Sequence, residues 1–392
     1  MDSIPSACSH GGLRPPLAMR VLAVALGMAI GVEGLVACQS GPGTTVTGPP
    51  STMPTATTTL TESIPSQRAS PTSTPSSTDI PPATLVLNLD RWSSIPGAVN
   101  LAWSPDGHTI AVTGADGLSL LDGATLGEVA SQTTQHGQNA LVFAENGSRL
   151  ATADGWEAGQ TITVWDPRSL NLVGDYGFLG TDPEHVMPVM QLGLSEEGRI
   201  VSAVSETSGL GIWTTTGGPL RRMLTVEGAE PITAALGQGG ELLAVSVGPA
   251  EAVQVWDTAD GVMLQEAPLS GALRLEFRHD SASLVALLDF TAVLWDLENA
   301  RAALRIPIAG GTLSETRIPY DVAISWDDRI LASGTEIPSP GIGLWDLDTG
   351  ELLALLVHKD LERVIGLSFS PVADELAVLL NDGRLEVWSV QG

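Results

Sequence analysis

The chain has 392 residues and a formal net charge of −27, from 18 basic and 45 acidic side chains. A surface this acidic repels phosphate backbones and anionic headgroups, which argues against nucleic acid as a partner. Lysine occurs once, at Lys359 before Asp360, so there is no G-x-x-x-x-G-K-[ST] phosphate loop.

In chain order, the first element is an apolar run, Val21–Val32, preceded by Arg20 and ended by Glu33. Twelve residues match the apolar region of a signal peptide and fall short of a membrane-spanning helix. The run leads into Leu35-Val36-Ala37-Cys38, which resembles the lipobox of bacterial lipoproteins. That resemblance implies cleavage before Cys38 and acylation of its thiol, palmitate included. Residues 1–37 are then a signal peptide. Asp2 and the prolines before residue 17 suit such a peptide poorly, and a start at Met19 would give a compact Met-Arg beginning. The mature chain would sit on the extracytoplasmic side of a bacterial membrane, in the cell envelope, held only through the lipid on Cys38. The only other cysteine, Cys8, would be removed, so no disulfide framework is available.

Residues 38–82 follow as a tether. Of residues 39–82, 29 of 44 are Ser, Thr or Pro, a composition that cannot build a packed core and is expected to be disordered. As a coil, such a segment reaches roughly 40 Å on average.

From residue 83 to 392 one period organises the sequence. Trp-Asp pairs stand at Trp165-Asp166, Trp256-Asp257, Trp295-Asp296 and Trp345-Asp346, with degenerate versions at Leu121-Asp122, Trp213-Thr214 and Trp388-Ser389. The intervals are 44, 48, 43, 39, 50 and 43 residues, which is the length of a four-stranded propeller blade. Each unit opens with a short apolar strand (Val99–Trp103 in the first, Leu273–Phe277 in the fifth). A tight polar turn such as Ser104-Pro105-Asp106-Gly107 leads to a second strand, and a third ends at the Trp mark. No stripe of helical period and length competes with this pattern, so the expectation is all-β. The seventh unit stops at Gly392 after its third strand, while an extra strand, Leu85–Leu89, precedes the first. The N-terminal strand is therefore expected to complete blade 7 and close the ring of a seven-bladed β-propeller.

Residues 99–122 and 364–388 resemble WD40 repeats, including Asp116-Gly117 and Asp382-Gly383 before the third strand. The resemblance covers about four-fifths of the chain and implies four-stranded blades and a protein-binding or scaffold role. The repeats diverge from the pattern: most lack Gly-His before the first strand, and blades 3 to 6 lack the Asp-Gly turn. The recurring Trp reads as packing between blades.

No H-E-x-x-H, C-x-x-C or G-x-S-x-G motif is present, and the six histidines are scattered. Neither a metal nor a cofactor is expected, and Asp327-Asp328 reads as a solvated turn. Asn146-Gly147-Ser148 reads as a hairpin turn rather than a glycosylation site. Binding surfaces sit on long connections held by rigid scaffolds. Here the long connections, 154–160, 177–188, 309–320 and 334–340, all fall on the side of the ring where second strands lead to third and fourth strands to the next blade. Trp156, Glu157, Asp182, Glu184, His185 and Tyr320 are the polar and aromatic candidates for contact with a protein partner there. The expectation is a monomeric, non-catalytic binding propeller. The alternative is a propeller enzyme or small-ligand sensor that uses the axial funnel.

Overall fold

The computed structural model describes residues 85–134, 137–154, 161–177, 189–205, 209–214, 222–224, 231–237, 239–248, 252–288, 291–308, 321–335, 341–357 and 364–392. These residues are all-β, in four-stranded antiparallel sheets. The first sheet contains β2 (Ala98–Trp103), β3 (Thr109–Gly114), β4 (Gly117–Asp122) and β5 (Glu128–Thr133). The second contains β6 (Gln138–Phe143), β7 (Leu150–Asp154), β8 (Thr161–Trp165) and β9 (Leu172–Gly177). The third contains β10 (Val189–Leu194), β11 (Ile200–Ser205), β12 (Gly209–Thr214) and β13 (Arg222–Leu224). The fourth contains β14 (Pro231–Leu236), β15 (Leu242–Val247), β16 (Ala252–Asp257) and β17 (Met263–Ala267). The fifth contains β18 (Arg274–Phe277), β19 (Ser283–Leu288), β20 (Thr291–Asp296) and β21 (Arg301–Pro307). The sixth contains β22 (Val322–Ile324), β23 (Ile330–Thr335), β24 (Gly341–Asp346) and β25 (Leu352–Val357).

The sequence spacing marks seven units, and the structure corrects that count in one respect. The contiguous four-strand blade occurs six times, not seven. The remaining sheet is composite: β26 (Val364–Phe369), β27 (Glu375–Leu380) and β28 (Arg384–Gln391), completed by β1 (Val86–Ser94) from the other end of the chain. We number it blade 7. The first strand of every sheet touches the first strands of both neighbours, β26 meeting β2, so the ring is closed with these strands innermost.

The closing strand is longer than Leu85–Leu89. A bulge between Leu89 and Arg91 lets it continue along β28 as far as Ser94. Leu85 N donates to Leu353 O of blade 6 at 2.9 Å, and Leu85 and Leu87 pack against the core shared by blades 6 and 7. Arg91 makes a two-pronged bond to Glu375 at 2.9 and 2.7 Å, and its Nε donates to Gly123 O of blade 1 at 2.8 Å. One strand thus ties three blades.

The alternation of apolar residues places the core between blades. Trp103, Trp165, Trp213, Trp295, Trp345 and Trp388 are buried, and Trp165 Nε1 donates to Thr152 Oγ1 at 2.9 Å. The rings of Trp213, Trp345 and Trp388 fold back along their own strands, over Gly211, over Gly343 and to Glu386 Oε2. At Gly343 an added Cβ would lie 2.2 Å from the Trp345 ring, so only glycine leaves the ring its place. The turn between first and second strands also has a fixed demand. Gly107, Gly147, Gly198 and Gly240 hold positive φ in blades 1 to 4, and Ser281 and Asp328 hold the same place in blades 5 and 6. Asn146 belongs to such a turn: its Oδ1 accepts from Ser148 N at 2.9 Å.

Candidate functional site

The sequence candidates Trp156, Glu157, Asp182, Glu184, His185 and Tyr320 lie outside the described residues, as does Cys38. What the described residues bring together is a different place, the axis of the ring. A cavity of about 310 Å³ lies there, lined by the innermost strands and opening toward the turns between first and second strands.

Small and uncharged residues dominate its wall. Two residues before each of these turns stand Ala102, Val142, Gly193, Ala235, Ala323 and Ser368, but Glu276 in blade 5. Four residues before it stand Asn100, Ala140, Gln191, Thr233 and Gly366, but Arg274 in blade 5 and Asp321 in blade 6. Two of the uncharged members bond to each other, Thr233 Oγ1 donating to Gln191 Oε1, and Gln191 Nε2 donates to the Leu275 backbone O of blade 5 at 3.0 Å. Four uncharged polar side chains, Asn100, Gln191, Thr233 and Ser368, therefore stand on the innermost strands of four blades.

The charged members collect on the seam between blades 5 and 6. Arg274 Nη2 lies 2.9 Å from Asp321 Oδ1, and Asp321 Oδ2 accepts from Leu367 N of blade 7 at 2.9 Å. Asp321 is buried, and burial pushes its carboxyl above the usual range against the opposing pull of Arg274 and the Leu367 amide. Glu276 lies one step further along the seam and keeps part of its surface open to the cavity. Burial first, and the Asp321 charge second, push its carboxyl up to about 8 against the attraction of Arg274.

At the mouth, Asp328 corrects the reading of a solvated turn. Asp327 does cap that turn, accepting from Ser325 Oγ at 2.6 Å. Asp328 instead reaches across the seam to blade 5, where its Oδ1 accepts from His279 N at 3.0 Å and lies 2.8 Å from His279 Nδ1. Arg278 Nη2 donates to Asp328 O at 2.8 Å, and the His279 ring stacks on Trp326 with centroids 4.9 Å apart.

Sequence reasoning passed over Arg274, Glu276 and Asp321. The signal was present in Arg274-Leu275-Glu276-Phe277-Arg278, where charge alternates along a strand that must be innermost. Among the described residues no group of three or more His, Cys, Asp or Glu side chains is placed to hold a metal ion. No helix among them is long and apolar enough to cross a membrane.

No family model matches the chain, and no curated protein does either. Among solved structures, the chain is similar to the β-propeller domain of Cps50 (Swd1) from Myceliophteria thermophila. The TM-score is 0.65 at 14% identity, over 78% of this chain and 99% of that one. The likeness is one of fold.

Proposed function

We propose that this propeller is a non-catalytic protein-binding or scaffold module, lipid-anchored through Cys38 on the extracytoplasmic side of a bacterial membrane. The observation that carries the reading is the placement of β1. Its first residue, Val86, pairs with Gln391 at the end of β28. Third strands end where the turns to fourth strands begin, so the chain enters the ring on the side whose turns are short except for 215–221. The strand ends flanking 155–160, 178–188, 309–320 and 336–340 lie on the opposite side. A tether held at Cys38 would pull on the short-turn side and leave the long connections facing away from the membrane, free to meet a partner. The ring's closure by one strand across blades 6, 7 and 1 gives that pull a rigid body to act on.

Two experiments test this. Cys38→Ala should release the protein from membranes or block its maturation, and fractionation with membranes as fully as wild type would refute the anchor. Replacing Trp156 and Tyr320 together by Ala should weaken binding to a protein partner isolated from membranes with the propeller as bait by about 2 kcal/mol or more, since aromatic side chains dominate hot spots. The matched pair on the other side is Asp348→Ala with Glu351→Ala, two exposed residues, which should change affinity by less than about 0.5 kcal/mol. A larger loss from the second pair would refute the assignment of the face. The axial cavity with Arg274, Glu276 and Asp321 is the observation that favours the alternative, a small-ligand sensor.

A further inference from the structure

The charges around the axial cavity do not balance. Its volume of about 310 Å³ falls at the lower end of the range of small-ligand pockets, ~300–1,000 Å³. Two residues before the turns, six blades line it with small or uncharged side chains, and blade 5 lines it with Glu276. The cations nearby are committed elsewhere. Arg274 Nη2 lies 2.9 Å from Asp321 Oδ1. Arg278 Nη2 donates to Asp328 O at 2.8 Å, and its Nη1 lies 3.7 Å from Asp348 Oδ1. Glu276 forms no ion pair with any described residue, and the Ile324 backbone amide donates to its carboxyl. The rim has the same sign. The seven turns between first and second strands, toward which the cavity opens, carry nine acidic side chains, four arginines and two histidines. Such an excess draws cations toward the opening.

We propose that the axial cavity binds a small organic cation, a primary ammonium on a short carbon chain, with Glu276 as its counter-ion. With the Ile324 amide already on the carboxyl, what remains suits the point charge of an ammonium better than the two-pronged fork of a guanidinium. The small side chains at the same register, Ala102, Ala235 and Ala323 among them, give the body of the ligand an uncharged wall. The Trp326 ring lines the mouth, and aromatic rings attract ammonium ions. A carboxylate ligand meets the opposite conditions, an acidic rim and two arginines already engaged by the protein. This inference rests on the small-ligand reading above and gives that reading a ligand class. It depends on neither the lipid anchor nor the partner face.

Calorimetric titration of the full chain with n-pentylamine, pentan-1-ol and pentanoate, equal in length and different in charge, tests it. At about pH 9 the amine keeps its proton and Glu276 is largely ionised. The amine should bind at one site, about tenfold or more tighter than the other two probes. Glu276→Gln keeps the shape of the side chain and an acceptor for the Ile324 amide. It should weaken amine binding by about tenfold or more and leave the alcohol unchanged. Undiminished amine binding in that variant, or none in wild type, overturns the site. Alcohol or pentanoate binding as tight as that of the amine overturns the cation class and leaves the small-ligand reading standing. Should the variant not fold, nuclear Overhauser contacts in the wild-type chain decide. Contacts from the amine methylenes to the Ala235 and Ala323 methyl groups place it in the cavity, and contacts confined to residues outside the lining overturn the proposal.

Discussion

Arg91→Ala attacks the closure of the ring at a single side chain. The guanidinium makes two bonds to the Glu375 carboxylate, at 2.9 and 2.7 Å, and a third to Gly123 O at 2.8 Å. Its side chain is 20% exposed and that of Glu375 is 21% exposed, so water can replace the lost bonds only in part. A hydrogen bond to a charged group contributes about 1.5–3 kcal/mol, and removing one partner strands the other. Three bonds at a site still one-fifth open, discounted for that screening, give a loss of about 2–3 kcal/mol. Unfolding entropy grows with chain size, so in a propeller of this length that loss lowers the thermal midpoint by roughly 3–6 °C. Arg91→Lys keeps the charge without the fork and should recover less than half. In a double-mutant cycle, Arg91→Ala with Glu375→Ala should show a coupling of about 1–2 kcal/mol by urea unfolding. If Arg91→Ala lies within about 0.5 kcal/mol of wild type, the side chain does not secure the closing strand and the account of closure fails.

Removing the strand itself is the larger perturbation: a chain that starts at residue 80 should fold, whereas one that starts at residue 95 should lose most of its stability, and equal thermal midpoints would refute β1 as the closing strand. Gly343→Ala places a Cβ 2.2 Å from the Trp345 ring and should cost about 1–3 kcal/mol by overpacking, with Trp345→Leu relieving much of it in the double variant. Ser281→Gly supplies the residue that the positive-φ turn position favours in blades 1 to 4. It should raise stability by up to about 1 kcal/mol, and a loss of stability in denaturant titration would show the serine side chain to be doing more than filling the turn.

The ring was legible because its demands repeat. The Trp marks fix the third strands, and Asp382-Gly383 and Ser104-Pro105-Asp106-Gly107 fix turns whose backbone needs glycine. Gly383 has φ of +83° with Ile95 O 2.5 Å from where a Cβ would stand. The unpaired third strand at Gly392 implied a partner elsewhere in the chain. The length of β1 was not legible, because Asp90 falls at the bulge and breaks the alternation that would have carried the strand on to Ser94. The contact candidates on the long connections rest on loop length and residue type, and they fall outside the described residues.

The axial charges escaped for a different reason. Period-2 alternation of charged and apolar residues ordinarily marks a strand with one face in water. Arg274-Leu275-Glu276-Phe277-Arg278 fits that description, although its place in the blade makes it innermost. Only the neighbouring strand resolves the conflict: Asp321 and Asp328 lie 47 and 50 positions on from Arg274 and Arg278, one blade length away, and supply what solvent otherwise would. In a repeat protein the position of a residue within the repeat fixes its burial, so a charge at a position that is small or apolar in other blades must be answered by the adjacent blade. Asp321 answers Arg274, and Asp328 answers Arg278 and His279. Glu276 is answered by the Ile324 backbone amide of that same adjacent blade.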